Sequence, residues 1–359
     1  MRLIVLPGDG IGPEITAATL QVLKAAGERF KLGLSFEQHD IGFASLKTKG
    51  STITPEVVEA CRKADGIVLG PVSHSDYPPR AEGGINPSAE LRIQLDLFAN
   101  IRPSRTRDSL KHWGRTPMDL VIARENTEGF YSDRNMFQGI GEFMPDPDMA
   151  LSLRKITAKG SSRIARAAFE LARKRRKKVT AVHKVNVIKV SEALFLRETR
   201  KMSKEFSDVA YDEQLIDSMT AMLVRDAQRF DVIVTTNMFG DILSDLAAEL
   251  SGSLGLAGSV NASLTHCAAQ AQHGSAPDIA GQDKANPTSL ILSAAMLLDW
   301  LSMKHGKGFA DAARAIDQSV DELLKDPARR TQDLGGRLGT RAFTDALCAQ
   351  LGSKTKQTA

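Results

Sequence analysis

Long apolar runs, paired cysteines and a strong charge imbalance are all missing from this 359-residue chain. No run reaches the ~18 residues that a membrane span requires, so no membrane partner is expected. The N-terminal MRLIVLPGDG lacks an extended apolar core ahead of its Pro-Gly break, so it does not read as a signal peptide. Cys61, Cys267 and Cys348 are odd in number and widely spaced. They form neither a disulfide framework nor a metal-ligand pattern, and a reducing cytoplasm is the simpler location. A net charge of +4 is small for this length and gives little reason to expect nucleic acid. The dinucleotide fingerprint G-x-G-x-x-G is absent too. The loop from Pro7 to Glu14 spaces its glycines G-x-G-x-G and then places Pro13, which suits a helix start. No internal repeat occurs, and no low-complexity segment beyond the polar tail after Leu351, which is expected to fray.

What remains is an ordinary globular composition, 42% hydrophobic and 25% charged, in a chain long enough for two domains. Short apolar β-branched runs alternate with helical patterns. Leu3 to Leu6, Gly66 to Gly70, Asp119 to Ala123, Val179 to Val182 and Val232 to Val234 read as strands. Ile15 to Ala26, Ser161 to Lys174 and Thr288 to Leu301 read as helices. The alternation predicts an α/β architecture with substantially parallel strands. Residues 71–90 form a long Pro/Gly/Ser-rich loop, of the kind uncommon unless functional. A helix then begins near Pro87 or Ser88, carries Arg92, and ends before Pro103, with Arg102 just past it. Residues 132–152 show no clear periodicity and read as an irregular arm. The run Arg173 to Lys178 (RKRRKK) reads as a helix C-terminus complementing the dipole. Glycines between Ser251 and Asn261 mark a crossing between domains.

The chemistry centres on Asp231 to Asp245, DVIVTTNMFGDILSD. A strand ends at Thr235-Thr236-Asn237, and a helix opens at Gly240-Asp241. Asp241 and Asp245 are four apart and share a helix face, where like charges repel unless a cation lies between them. A hard divalent ion would serve. Equally, Asp241 fits a first-turn residue favoured by the dipole, with Asp245 solvated. Arg92, Arg102 and Arg124 lie beside glycine- or proline-rich breaks, where each can fork onto a carboxylate. Lys184, at a strand end before an apolar helix, is placed for acid–base duty if partly desolvated.

The motifs LPGDGIGPE, LRIQLDLFANIRP, RENTEG, HKVNVIK, NMFGDILSD and HGSAPDIAGQDKANP occur in the order found in the isopropylmalate, isocitrate and tartrate dehydrogenases. Nearly the whole chain resembles these metal-dependent, β-decarboxylating enzymes, with the 3-isopropylmalate branch nearest in overall look. The resemblance implies a two-domain α/β fold with mixed sheets flanked by helices, and no Rossmann site. Residues 1–98 and 252–359 would bind the cofactor, and 99–251 would form a dimerisation domain with its arm near 132–152. A homodimer with shared active sites is implied. In it Arg92, Arg102 and Arg124 would clamp the substrate's carboxylates, Tyr131 would be the acid and Lys184 the base. Asp217, from the partner with Lys184, would join Asp241 and Asp245 around Mg²⁺ or Mn²⁺. NAD would lie on His273, Gly274, Ser275, Ala276, Asp278 and Asn286, with Asn186 near the nicotinamide. An aspartate at 278 accepts from both ribose hydroxyls and repels a 2′-phosphate, which favours NAD over NADP.

Substrate choice rests on Asn86-Pro87-Ser88-Ala89. The isopropylmalate enzymes place leucines where Ser88 and Ala89 stand, so a small, partly polar pocket is expected here. Isocitrate enzymes use a serine and an asparagine on this turn, which Asn86 and Ser88 match in exchanged order. Ser88 fits a helix cap as readily as a substrate contact. The expected activity is NAD-dependent oxidative decarboxylation of a 3-substituted (2R)-malate. D-malate or tartrate oxidation is the competing enzymatic reading, and a regulatory paralogue the non-enzymatic one. The intact set of base, acid and metal residues speaks against the last.

Overall fold

The computed structural model describes residues 1–131, 133, 136 and 139–352; the polar tail 353–359 and part of the expected arm lie outside them. In chain order the elements are β1 (Arg2–Leu6), α1 (Gly12–Phe30), β2 (Ser35–Gln38), α2 (Gly42–Lys49), α3 (Pro55–Arg62), β3 (Gly66–Leu69) and α4 (Pro87–Gln94). β4 (Ala99–Arg105), β5 (Asp119–Glu125), β6 (Glu142–Asp146), β7 (Met149–Ser152), α5 (Ala158–Arg173), β8 (Lys178–His183), α6 (Ser191–Glu205) and β9 (Ala210–Leu215) follow. The chain continues with α7 (Ile216–Asp226), β10 (Val232–Thr235), α8 (Asn237–Ser251), β11 (Val260–Ala262), β12 (Cys267–Gln270), α9 (Thr288–His305), α10 (Lys307–Lys325) and α11 (Thr340–Gly352).

Ten strands form one mixed sheet in the order β2-β1-β3-β12-β11-β4-β5-β10-β8-β9. Its two wings are parallel, and antiparallel β11 and β4 join them. The inner wing strands β1, β3, β8 and β10 are largely apolar and buried on both faces, as parallel strands covered by helices must be, whereas the edge strands β2 and β9 are polar and partly exposed. Alternation divides their side chains. Val232 and Val234 enter one apolar cluster with α5 and α6, whereas Ile233 enters another with α7 and α8. In the other wing Leu3 packs toward α1, α9 and α10, and Ile4 toward α3 and α4.

Several boundaries differ from expectation. Arg102 does not follow a helix but sits inside β4, because α4 stops at Gln94 and Asp96 turns the chain with φ 49°. Pro103 is tolerated in that strand because β11 ends opposite Ile101, leaving one side unpaired. Helix α8 begins at Asn237, so Asp241 belongs to its second turn rather than its first. The described part of the arm is regular only over Glu142–Asp146 and Met149–Ser152. β6 and β7 pair as an antiparallel ribbon exposing Phe143, Met144, Met149 and Leu151. Within the basic run Arg173 pairs with Asp208, and Arg175 and Arg176 with Asp231, so much of its charge is answered locally. The three cysteines are unpaired. Among the described residues no helix is long and apolar enough to cross a membrane.

Candidate active site

A cavity of about 520 Å³ opens where the two wings meet, lined by Ser88, Arg92, Arg102, Arg124, Tyr131, Asp241 and His273 among others. β5 carries Arg124 at its C-terminal end, beside Thr235 of β10, and α8 leaves β10 to bring Asp241 against it. Gly240 makes that approach possible. A Cβ there would lie 2.6 Å from Arg124 Cγ and 2.7 Å from its Cβ. Arg124, only 2% exposed, donates Nε to Asn237 Oδ1 at 2.8 Å and Nη2 to the Tyr131 hydroxyl at 2.7 Å. Its Nη1 pairs with Asp241, and the Tyr131 hydroxyl donates to the other oxygen of that carboxylate at 3.1 Å.

The sequence asked for a cation between Asp241 and Asp245, and within this chain Arg102 is one. Its Nη1 lies 3.2 Å from each carboxylate and donates to Ser244 Oγ at 2.7 Å. Burial, with Arg124 nearby, lowers the Arg102 guanidinium to about 10, still protonated at neutral pH. Burial pushes the Asp241 carboxyl upward, but Arg124 and Arg102 more than offset it, and the group falls below its ordinary 3.8. Burial raises the Tyr131 phenol, Arg124 opposes and Asp241 reinforces, so the hydroxyl keeps its proton.

Ser88 is not the cap of α4. Asn86 is, accepting from the Ala89 amide at 3.1 Å, and Ser88 is thereby free to donate to Gln270 Oε1 at 3.0 Å. Lys184, Asn186 and Asp217 lie elsewhere; none lines the cavity. Lys184 Nζ meets Asp217 Oδ1 at 2.6 Å, and that hydrogen bond holds the Asp217 carboxyl below its ordinary range. The Lys184 amide donates at 2.7 Å to Glu192, a fully buried carboxylate that also pairs with Arg154. No cluster of three or more acidic, histidine or cysteine side chains suited to a metal occurs among the described residues. Asp241 lines the cavity, and Asp245, one helical turn on, shares Arg102 with it; the two offer hard oxygen donors, and one or two carboxylates suffice for Mg²⁺.

The loop His273 to Asp278 closes the cavity's other side. Gly10 fits beneath it with φ 57°, where a Cβ would lie 2.0 Å from the Ser275 carbonyl oxygen. Ser275 is buried and its hydroxyl lies 2.7 Å from that of Ser73. Ala276 adopts φ 39°, turning the chain so that Asp278 is exposed. Burial lowers the His273 imidazole, whose Nε2 is buried without a partner among the described residues. Asn286 donates to Asp333 at 2.9 Å. Sequence reasoning missed Asn237, Ser244, Gln270 and Gln272, which hold Arg124, Arg102, Ser88 and Asp245 in turn. The one available signal was Gln270 and Gln272, polar residues at alternate positions leading from an apolar strand into the His273 loop.

Residues 2–347 match the family described as isocitrate/isopropylmalate dehydrogenase. A 3-isopropylmalate dehydrogenase of Archaeoglobus fulgidus is 38% identical, over 98% of this chain and 99% of that one. An isocitrate/homoisocitrate dehydrogenase of Thermus thermophilus is 40% identical over the same shares. The crystal structure of isocitrate dehydrogenase from Methylococcus capsulatus superposes with a TM-score of 0.87 at 36% identity, covering 98% of this chain and 99% of that one. With fold, length and sequence in agreement, the chain belongs to the isocitrate/isopropylmalate dehydrogenase family of oxidoreductases.

Proposed function

We propose that this chain oxidises and decarboxylates a (2R)-malate-type acid bearing a modest 3-substituent, with NAD and Mg²⁺ or Mn²⁺, as a cytoplasmic homodimer. The observation that carries the reading is the convergence of Arg92, Arg102, Arg124, Tyr131 and Asp241 on one cavity. Three guanidinium groups can receive two carboxylates in forked pairs. Arg124 also orients Tyr131, whose retained proton is available to the carbon that loses its carboxylate. Lys184 takes the hydroxyl proton as C2 is oxidised. It does so across the dimer, from the face that pairs it with Asp217. When bound, the divalent ion supplies Lewis-acid polarisation and NAD the hydride acceptor.

Asp241 and Asp245 would hold the metal, joined by Asp217 of a second copy. Asp278, with no described residue donating to its carboxylate, fits an adenosine ribose, and the partnerless His273 Nε2 fits a polar atom of the same nucleotide. The exposed apolar ribbon of β6 and β7 is what a second copy would cover. The division into 1–98 with 252–359, and 99–251, is supported by the way the apolar clusters separate along the sheet. The small polar wall at Ser88 and Ala89 favours D-malate or tartrate as the second reading.

The test is NADH formation with Mn²⁺ and NAD on 3-isopropylmalate, isocitrate, D-malate, tartrate and smaller 3-alkylmalates. Turnover of at least one acid is expected. No turnover of any, with NAD and metal still bound, would overturn the enzymatic reading in favour of the regulatory one.

A further inference from the structure

Behind the cavity wall a chain of buried amides crosses the sheet. Asn126 Nδ2 donates to the Leu97 carbonyl at 3.0 Å and to Asn261 Oδ1 at 2.9 Å. Asn100 Nδ2 donates to the Val260 carbonyl at 3.1 Å and to the same Asn261 Oδ1 at 3.1 Å. Asn261 Nδ2 then donates to Gln270 Oε1 at 3.0 Å. Asn100, Asn126 and Asn261 are all at most 1% exposed.

The direction of this relay is set by chemistry. Backbone carbonyls only accept, so Asn100 and Asn126 must turn their NH₂ groups toward them and toward Asn261. Asn261 must therefore present its oxygen to them and its NH₂ to Gln270. At the far end Arg92, a pure donor, points Nη2 at Gln270 Oε1 at 3.4 Å, and Ser88 adds its hydroxyl. Rotating the Gln270 amide would set its NH₂ against the Arg92 guanidinium and the Asn261 NH₂, neither of which can accept. Its oxygen is locked inward, and among the described residues no group accepts from its Nε2. Gln270 lines the cavity beside Ser88, Ala89 and Arg92.

We infer that Gln270 is a specificity-determining residue whose NH₂ recognises a hydrogen-bond-accepting 3-substituent, a carboxylate or hydroxyl, in preference to a branched alkyl group. The inference rests on the proposed malate-type reading, which places the 3-substituent at Ser88 and Ala89. An alkyl group there would bury the Gln270 donor without a partner, whereas an oxygen satisfies it. Positive charge on Arg92 acts in the same direction.

The experiment compares kcat/KM for isocitrate and tartrate with that for 3-isopropylmalate and 3-methylmalate, in the wild type and in two variants. In Gln270→Glu one oxygen still accepts from Ser88, Arg92 and Asn261, but the group facing the cavity can no longer donate. Gln270→Met keeps the length without the amide, and carries the same comparison should the first variant not fold. The wild type is expected to favour an oxygen-bearing substituent by about 10-fold or more. In Gln270→Glu that ratio should fall about 30-fold for the carboxylate and less for the hydroxyl, chiefly through KM. A wild-type preference for isopropylmalate, or a ratio unchanged in both variants, overturns the inference; an equal loss on all four acids assigns Gln270 to the fold alone and overturns it too. If no acid is oxidised, the dehydrogenase reading fails, and calorimetric binding of the same acids decides the point about Gln270. Preferential binding of oxygen-bearing acids, lost in Gln270→Glu, upholds it, and equal binding overturns it.

Discussion

The charges that line the cavity and those around Lys184 are held in different ways. At the cavity, Arg124 and Arg102 have side chains 2% and 8% exposed and share Asp241 and Asp245 between them. Outside the cavity, Lys184 is 24% exposed and its partner Asp217 63% exposed. The first set is built into the packing of β4, β5 and α8, so altering it disturbs the fold as well as the chemistry. The second is a surface pair, worth little to stability, yet it carries the residues proposed as base and metal ligand. A chain that keeps such a pair at little structural benefit has it available for a neighbour. The cavity's own carboxylates, meanwhile, are bridged by an arginine that a substrate's carboxylates can engage.

The comparison is broken most sharply by Lys184→Ala. We expect kcat to fall about 10³-fold, while the melting temperature stays within about 3 °C; thermal melts by circular dichroism beside NADH assays measure both. A large loss of stability would mean that the Lys184 face is as much part of the fold as the cavity. Gly240→Ala tests the opposite side. The added methyl cannot fit against Arg124 unless α8 moves, so urea unfolding should show a loss of about 1–3 kcal/mol, accompanied by a fall in kcat/KM. Unchanged stability would show that α8 yields easily and that the cavity is looser than its distances suggest. The smallest effect is expected of Asp217→Asn in metal-free protein. Lys184 holds this carboxyl below its ordinary 3.8, so its contribution is present above that pH and disappears as pH falls through the lowered value. Melting temperatures of wild type and variant should differ slightly near neutral pH and converge in acid. Convergence at alkaline pH instead would exclude the pair as the cause.

Much of the fold was legible because its signals are local. Val232 to Val234, Val179 to Val182 and Leu3 to Leu6 are short β-branched or aliphatic runs, and each became a buried strand. The two strands within the arm were not legible because an exposed two-stranded ribbon with a register shift between Phe143 and Asp146 has no buried face to impose alternation. Arg102 was misplaced because a proline nearby argues against a strand unless one knows that the neighbouring strand stops short. Ser88 was left between two roles, since only the structure shows Asn86 taking the cap.

From the sequence alone came the α/β alternation, the shared helix face of Asp241 and Asp245, and the ordered motifs that point to one family. All of these are carried by neighbours within a few turns or by their order along the chain. Tertiary structure decided that Arg102 bridges those two aspartates from 139 residues away, and that Arg92 meets Gln270 across 178. It also decided that Lys184 and Asp217 pair outside the cavity, and that a relay of buried amides turns Gln270 toward it. Such contacts depend on strand order in the sheet and on the direction of hydrogen bonds passed from one side chain to the next. Spacing along the chain encodes neither.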